Sequence, residues 1–257
     1  MKALLFLPLL PCLLIGCQSD GPPPGIDTNL GLLSQYNFRG VPQNDEGVFQ
    51  ADTTVTMATE NDGTIGFTAW GNMDLKNDTG DAVFPDGNGG DFSEIDLTAF
   101  CSRRVGDHVF SIGVINYNFP NGVGDSTNEI YAAVEAEHFG ITSSVTAYFD
   151  FDEVEGIYVS GALSRGHEIN SKFSAELGVS IAYSDNDHSA VYYGANASGL
   201  ADLVATGSLA YAYDENTTFS FTVSASTLID DDLDDAVDAA GIDSDNVWAG
   251  LGVGWSF

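Results

Sequence analysis

Beyond residue 25, apolar and polar residues alternate along most of the chain, in segments of about ten residues separated by turn residues. A period of two is the repeat of a β-strand, because successive side chains of a strand point to opposite faces. Helical periodicity is weak, and no run of 18 apolar residues follows residue 25, so no transmembrane helix is predicted. The alternation predicts twelve strands, at residues 28–40, 47–59, 64–75, 92–104, 108–119, 128–138, 141–150, 156–166, 171–184, 200–213, 217–228 and 246–257.

The last segment shows the pattern most clearly. From Val247 to Phe257 every odd position is apolar, while the even positions after Trp248 are glycine or serine. Residues 173–183 and 219–223 alternate in the same way, which gives each strand one lipid-like face and one small or polar face. A C-terminal phenylalanine is common in outer-membrane barrels, so we expect the barrel-assembly machinery to recognise the strand that ends in Phe257.

The fifth segment is ambiguous, because its apolar residues change phase. Phe110, Ile112 and Val114 indicate one face, whereas Ile115 and the aromatic residues after it indicate the other. An extra residue in one strand reverses the faces of the side chains beyond it. We therefore expect a β-bulge within this strand.

The connections between segments alternate in length. Tight turns are predicted near residues 60–63, 105–107, 139–140, 166–170 and 214–216, and longer loops near 41–46, 76–91, 120–127, 151–155, 185–199 and 229–245. An even number of strands with short turns at one end and longer loops at the other is typical of transmembrane β-barrels. A single meander argues against the alternative, a soluble β-sandwich. The predicted fold is all-β, a transmembrane antiparallel up-and-down barrel of about 12 strands, with both termini at the periplasmic end.

The N-terminal residues predict export and lipidation. One lysine and an apolar run indicate a signal peptide over residues 1–16, and Leu14-Ile15-Gly16-Cys17 matches a lipobox. We expect lipidation at Cys17, a flexible tether over 17–27 and the barrel over 28–257. Ordinary cleavage nearby, with Cys17 incidental, is the alternative. After processing, Cys101 is the remaining internal cysteine, so no disulfide is predicted.

The charge balance excludes one class of partner. Asp and Glu number 38 against seven Lys and Arg, a formal charge of −31, which is unsuited to nucleic acid. A hydrophobic content of 44% argues against disorder. The acidic run Asp230–Asp235 lacks the glycine of an EF-hand loop, so a solvated acidic surface suited to high salt is favoured over divalent-cation binding. No metal site and no cofactor are predicted.

Several stretches in the first half resemble one known family. Ser34–Gln43 followed by Gln50 is similar to the opening motif of the TorF-like porins, a family of bacterial outer-membrane β-barrel proteins. Residues 66–70, 94–97, 112–120 and 129–131 add to the resemblance, which covers about residues 30–132. The resemblance implies a porin of the bacterial outer membrane, without defining a substrate.

The face opposite the apolar one carries the candidate site. The lumen and constriction candidates on the first four strands are Arg39, Asp52, Asp74, Glu94 and Asp96. Arg39, Asp74, Glu94 and Asp96 fall in the outer half of the first four predicted strands. Neighbouring strands lie about 4.8 Å apart, so we expect these side chains to converge. An inward arginine that faces carboxylates is either a structural ion pair or part of a pore constriction, and both readings stay open.

Catalysis is not predicted. His108, His138 and His167 lie at short turns on different hairpins, and His188, in a long loop, is expected to be solvated. The predicted function is a small passive, cation-preferring channel in contact with outer-membrane lipids and open to small solutes or cations. The alternative is a structural or adhesive surface barrel with a plugged lumen.

Overall fold

The computed structural model describes residues 24–59, 63–76, 89–121 and 124–257. The predicted signal peptide over 1–16, the lipidation site Cys17 and most of the predicted tether lie outside these residues. Neither helix in the described part of the chain is long and apolar enough to span a bilayer.

Twelve of the described strands form one closed antiparallel barrel. Two further strands pair with each other away from the wall, and two short helices lie in the connections. The elements are β1 (Gly25–Leu33), β2 (Tyr36–Phe38), β3 (Val41–Asn44), β4 (Val48–Thr59), β5 (Gly63–Asp74), β6 (Phe92–Val105), β7 (His108–Asn118), β8 (Thr127–His138), β9 (Ile141–Asp150), β10 (Ile157–Glu168), β11 (Phe173–Ser184), α1 (Asn186–Tyr192), β12 (Gly199–Ala212), β13 (Thr217–Leu228), α2 (Asp231–Ala239) and β14 (Asn246–Ser256).

Each wall strand pairs with its neighbours in the chain, and β1 pairs with β14 to close the barrel. The closing register runs from Asp27 opposite Ser256 to Leu33 opposite Gly250. Among the described strands, closure leaves none of the twelve wall strands with an unpaired edge, which a hydrocarbon environment requires. The predicted fold class, an all-β antiparallel barrel of about 12 strands, is confirmed.

Large apolar side chains cover the outside of the barrel. Phe67, Leu177 and Leu251 are 46%, 72% and 62% exposed, and their neighbours in the pairing register on the same face are also mainly apolar. Inward positions are mainly small or polar, as in the run of Gly250, Gly252 and Gly254 along β14. Apolar side chains outside and polar side chains inside are the reverse of the distribution in a soluble protein. Lipid requires this distribution, and it places the barrel in the bacterial outer membrane.

The first predicted strand, 28–40, needs correction at both ends. β1 begins at Gly25, within the predicted tether, and it leaves the wall after Leu33. Residues 36–44 instead form a separate hairpin of β2 and β3, whose turn is made by Arg39 and Gly40 with φ of 50° and 88°. A residue with positive φ cannot continue a strand. Pro42 has no amide hydrogen to donate to a neighbouring strand, so it does not fit a wall position that is paired on both sides.

The bulge predicted in the fifth segment is absent. β7 pairs with β6 in one unbroken register from Val105 opposite His108 to Ile95 opposite Asn118. Ile115 and Tyr117 therefore face the interior, and the ring centroid of Tyr117 lies 6.2 Å from that of Phe38 in the inner hairpin. The second apolar phase reflects packing inside the barrel.

The connection lengths alternate as predicted. Two to four residues separate successive wall strands at one end, after β4, β6, β8, β10 and β12. Six to 17 residues separate them at the other end, after β1, β5, β7, β9, β11 and β13. The start of β1 and the end of β14 lie together at the short-turn end, where the Ile26 amide donates to the Phe257 carbonyl over 3.1 Å. The long-loop end carries both helices and the inner hairpin.

The orientation of the barrel is tested by epitope tags. A tag inserted after Gly241, in the longest fully described loop, should bind antibody on intact cells, because long loops face outward in such barrels. A tag after Glu215, in a short exposed turn, should bind only after the outer membrane is permeabilised. Antibody binding in the reverse pattern contradicts the orientation.

Candidate functional site

The inner hairpin crosses the barrel at its long-loop end. It leaves the wall from β1 and returns to it at β4, yet its tip contacts β8, β9 and β10. In the strand order around the barrel, β9 is directly opposite β1, with five strands between them in either direction. The hairpin therefore spans the diameter of the lumen.

Arg39 at the hairpin tip lies in a cage on the opposite wall. Its Nη2 donates to Glu129 Oε2 over 2.8 Å, and its Nη1 donates to His188 Nε2 over 2.7 Å. Glu129 also accepts a 2.7 Å hydrogen bond from the Tyr117 hydroxyl. The guanidinium carbon lies 4.4–5.4 Å from the centroids of four rings, those of Phe38, Tyr148, Tyr158 and Tyr192.

This ion pair is nearly free of solvent. The side chains of Arg39 and Glu129 are 5% and 1% exposed, so each charge depends on the other. Removing one partner of such a pair leaves the other charged and buried, at a cost of about 3–5 kcal/mol. The rings add cation–π attraction, which is stronger where water is excluded. We call Arg39, Glu129 and His188 the clasp.

His188 joins the clasp through α1, and the sequence-based expectation of a solvated residue is wrong. The side chain is fully buried, and α1 is capped by Asp185, whose Oδ1 accepts from the His188 amide over 2.9 Å. Because Nε2 accepts from Arg39, Nδ1 carries the proton and donates to Ser184 Oγ over 2.7 Å. Burial, together with the charge of Arg39, lowers the pKa of His188 to about 2.

The arrangement around His188 is not that of an activated serine. A nucleophilic hydroxyl donates to an unprotonated histidine nitrogen. Here the Ser184 hydroxyl accepts from His188 and from Ser189 Oγ, the latter over 2.8 Å. Ser184, His188 and Ser189 are also all fully buried, so no substrate reaches them.

The backbone of the hairpin tip is bound to two further elements. The Tyr193 hydroxyl donates to the Arg39 carbonyl over 3.0 Å, and Ser226 Oγ on β13 donates to the Gly40 carbonyl over 3.3 Å. A Cβ on Gly40 would lie 2.6 Å from Asp202 Cβ on β12, and the φ of 88° also favours glycine. A glycine at position 40 is therefore required for the hairpin tip to pack against β12 and β13.

An apolar cluster fills the lumen next to the clasp. Val41 of the hairpin packs with Leu228 of β13 and with Leu233 and Val237 of α2, all with at most 7% exposure. Tyr193, after α1, belongs to the same cluster. The hairpin and both helices therefore form one packed body inside the long-loop end of the barrel.

The four predicted carboxyl residues lie on the adjacent strands β4, β5 and β6. Asp74 is buried and accepts hydrogen bonds from Asn72 Nδ2 over 3.0 Å and from Ser93 Oγ over 3.2 Å. Glu94 is also buried, at 6% exposure. Asp52 remains partly exposed and accepts from Asn29 Nδ2 over 3.0 Å, while Asp96 has a buried Oδ1 without a hydrogen-bond partner.

Among the described residues, Arg39 forms no ion pair with Asp74, Glu94 or Asp96. Its partner is Glu129, which the sequence analysis did not single out. The hairpin carries Arg39 across the lumen, whereas a continued wall strand would have kept it beside β4 and β14. In the sequence, Gly40 and the nearby Pro42 were the two signals that the chain leaves the wall here, and Gly40 indeed adopts a positive φ.

Unfilled space remains beside the hairpin. A cavity of about 260 Å³ is lined by β1, β4, β5, β13 and β14, and its polar lining includes Asn29, Gln50, Asp52, Ser220 and Thr222. Trp70 forms the aromatic part of the lining, and the β14 lining is the glycines Gly250 and Gly252 together with Leu251. Within the described residues, no group of three or more His, Cys, Asp or Glu side chains is placed to hold a metal ion.

Known proteins share this fold at low sequence identity. No protein-family model and no curated protein matches the chain, so the resemblance to the TorF-like family remains one of sequence motifs. An outer membrane channel from Pseudomonas putida F1 is similar in structure, with a TM-score of 0.55 at 10% identity, over 92% of this chain and 96% of that one. The NanC porin is similar with a TM-score of 0.52 at 11% identity, over 90% of this chain and 98% of that one. This likeness is one of fold.

The clasp predicts a pH dependence of stability. In the unfolded chain His188 takes up a proton near pH 6.5, whereas the folded ring stays neutral until about pH 2. The unfolded state thus binds more protons in this range, and stability falls as the pH is lowered below 6.5, by at most about 1.4 kcal/mol per pH unit. Urea unfolding between pH 7.5 and pH 4.5 should show a steeper loss in wild type than in His188→Gln.

His188→Gln keeps the other charged and titratable groups that face the ring, so the difference between the two proteins reports the histidine. These groups are Arg39, Glu129, Asp185, Asp202, Tyr158, Tyr192 and Tyr193. Equal pH dependence in the two proteins contradicts the buried neutral histidine.

Proposed function

We propose that the protein is a passive channel of the outer membrane, with a lumen narrowed by the inner hairpin and a preference for cations. The observation that carries the proposal is the polar cavity beside the hairpin. The packed body of hairpin and helices leaves about 260 Å³ unfilled against β1, β4, β5, β13 and β14. Toward the short-turn end, inward positions of β10 to β14 are mostly glycine, alanine, serine or threonine, which widens the lumen further.

The charges in and around this cavity favour cations. Asp52 lines the cavity and has no ion-pair partner among the described residues. Arg39 is neutralised by Glu129, and Lys76 pairs with Glu46 at the rim. The other basic residues of the described chain lie toward the short-turn end, at Arg103, Arg104, Arg165 and Lys172. Acidic walls raise the local concentration of cations and repel anions.

A structural or adhesive barrel without transport is the second candidate. The observation that favours it is the apolar cluster of Val41, Leu228, Leu233 and Val237, which packs the long-loop end like a protein core. Such a body closes the lumen if it extends across the whole cross-section. Conductance distinguishes the two candidates.

The channel proposal is tested by electrical recording. Refolded protein in planar bilayers should give discrete conductance steps, and the reversal potential in a KCl gradient should show cation preference. Asp52→Asn removes the exposed carboxylate with little change of shape, so it should reduce that preference. Asp107→Asn, in an exposed short turn, is the matched control and should leave the reversal potential unchanged.

Two results would oppose the proposal. Folded wild-type protein that inserts without conductance steps supports the plugged barrel. Steps that prefer anions would refute the cation preference while leaving a channel.

A further inference from the structure

Five inward side chains form one row across adjacent strands. Asn29 of β1 pairs with Asp52 of β4, Asp52 with Trp70 of β5, Trp70 with Asp96 of β6, and Asp96 with Tyr117 of β7. Directly opposed residues on neighbouring strands lie close enough to share one bound molecule. In the pairing register the indole of Trp70 thus lies between the Asp52 carboxylate and the carboxyl group of Asp96.

We infer that this row binds a small organic cation, such as an amine, a guanidino compound or a quaternary ammonium. The inference rests on the proposed channel function, since it names the class of solute that the lumen holds. A cation over an indole face is attracted by the negative charge of the ring π system. The Asp52 carboxylate beside the ring strengthens that attraction and orients the charged group toward Trp70.

The row is accessible from the lumen at Asp52 and Trp70, which both line the cavity of about 260 Å³. The lining on β14 includes Gly250 and Gly252, so part of the wall facing the cavity is bare backbone. A Cβ on Gly252 would lie 2.6 Å from Ser220 Oγ, and one on Gly250 would lie 3.0 Å from Thr222 Oγ1. The absence of side chains here preserves room for a compact solute.

Among the described residues, Asp52 has no protein cation as partner. It accepts one hydrogen bond from Asn29 and forms no ion pair there, and Arg39 is held by Glu129 on β8. Asp96, on the other side of Trp70 in the register, has a buried Oδ1 that accepts no hydrogen bond. A cationic ligand beside Trp70 would supply the charged partner that the Asp52 carboxylate lacks.

A neutral sugar is the main competing occupant, because aromatic rings and amides also bind hydroxyl-rich solutes. A sugar can donate hydroxyl groups to Asp52, but it leaves the negative charge of Asp52 uncompensated. The Asp52 carboxylate beside Trp70 therefore favours a cation over a neutral solute.

Titration calorimetry of refolded protein in detergent tests the inference with choline as the probe. Its uncharged isostere 3,3-dimethylbutan-1-ol has the same shape, and glucose represents neutral polyols. Choline should bind, and the isostere and glucose should bind at least about tenfold more weakly, because the charge supplies the affinity. Asp52→Asn and Trp70→Leu should each weaken choline binding by about tenfold.

Trp70→Phe and Asp107→Asn serve as controls. Trp70→Phe keeps an aromatic face and should bind choline more tightly than Trp70→Leu, while Asp107→Asn should match the wild type. Heat-dependent gel migration shows that each variant forms a folded barrel. If Trp70→Leu does not fold, Asp52→Asn and Trp70→Phe still decide the result.

The inference is overturned if choline does not bind the wild type, or if the isostere or glucose binds as tightly as choline. The inference is also overturned if Asp52→Asn and the Trp70 variant that folds both bind choline as tightly as the wild type does. The channel proposal fails separately. Choline binding without conductance steps refutes the channel and supports the site, whereas conductance without choline binding refutes the site alone.

Discussion

The buried charge of Arg39 is the constraint on which the interior of this barrel depends. A guanidinium placed away from water is stable only with a charged partner and good hydrogen bonds. Arg39 finds Glu129 on the wall opposite its own strand, and it finds a neutral His188 on α1. One side chain therefore ties together a hairpin, a wall strand and a loop helix that are distant in the sequence.

The clasp decides how the lumen is divided. Because the hairpin tip must reach β8, the rest of the hairpin crosses the mouth, and the helices pack against it through Leu233 and Tyr193. The cavity of about 260 Å³ lies beside β14 and β4, where glycines and Asp52 line the wall. The same interaction thus explains both the packed body and the position of the polar cavity, which is where the proposed transport and cation binding are placed.

The wall of the barrel was predictable from the sequence because it follows a local rule. Alternation along Val247–Phe257 assigns each side chain to lipid or lumen without knowledge of distant residues, and the turn lengths order the strands. The hairpin escaped prediction because residues 34–40 continue the same alternation beyond the point where the chain leaves the wall. Only Gly40 and Pro42 signal the departure, and each is a weak signal by itself.

The clasp escaped prediction for a different reason. Arg39 and Glu129 are 90 positions apart, and nothing local to either residue indicates the other. His188 lies among aspartates, which suggested a solvated loop, yet the cap at Asp185 begins a helix that turns the ring inward. The positions of Arg39, Glu129 and His188 are determined by tertiary packing, which the periodicity of the sequence does not reveal. The lipidation of Cys17 stays a prediction.

The most direct test of the account is the single-channel conductance of Glu129→Gln. This change leaves Arg39 without its charged partner, so the hairpin should leave the opposite wall for part of the time and the conductance should exceed that of the wild type. Glu135→Gln, at another inward-phase position of the same strand and exposed, is the matched control and should conduct like the wild type. A folded Glu129→Gln barrel whose conductance equals that of the wild type would contradict the clasp as the element that holds the hairpin across the lumen.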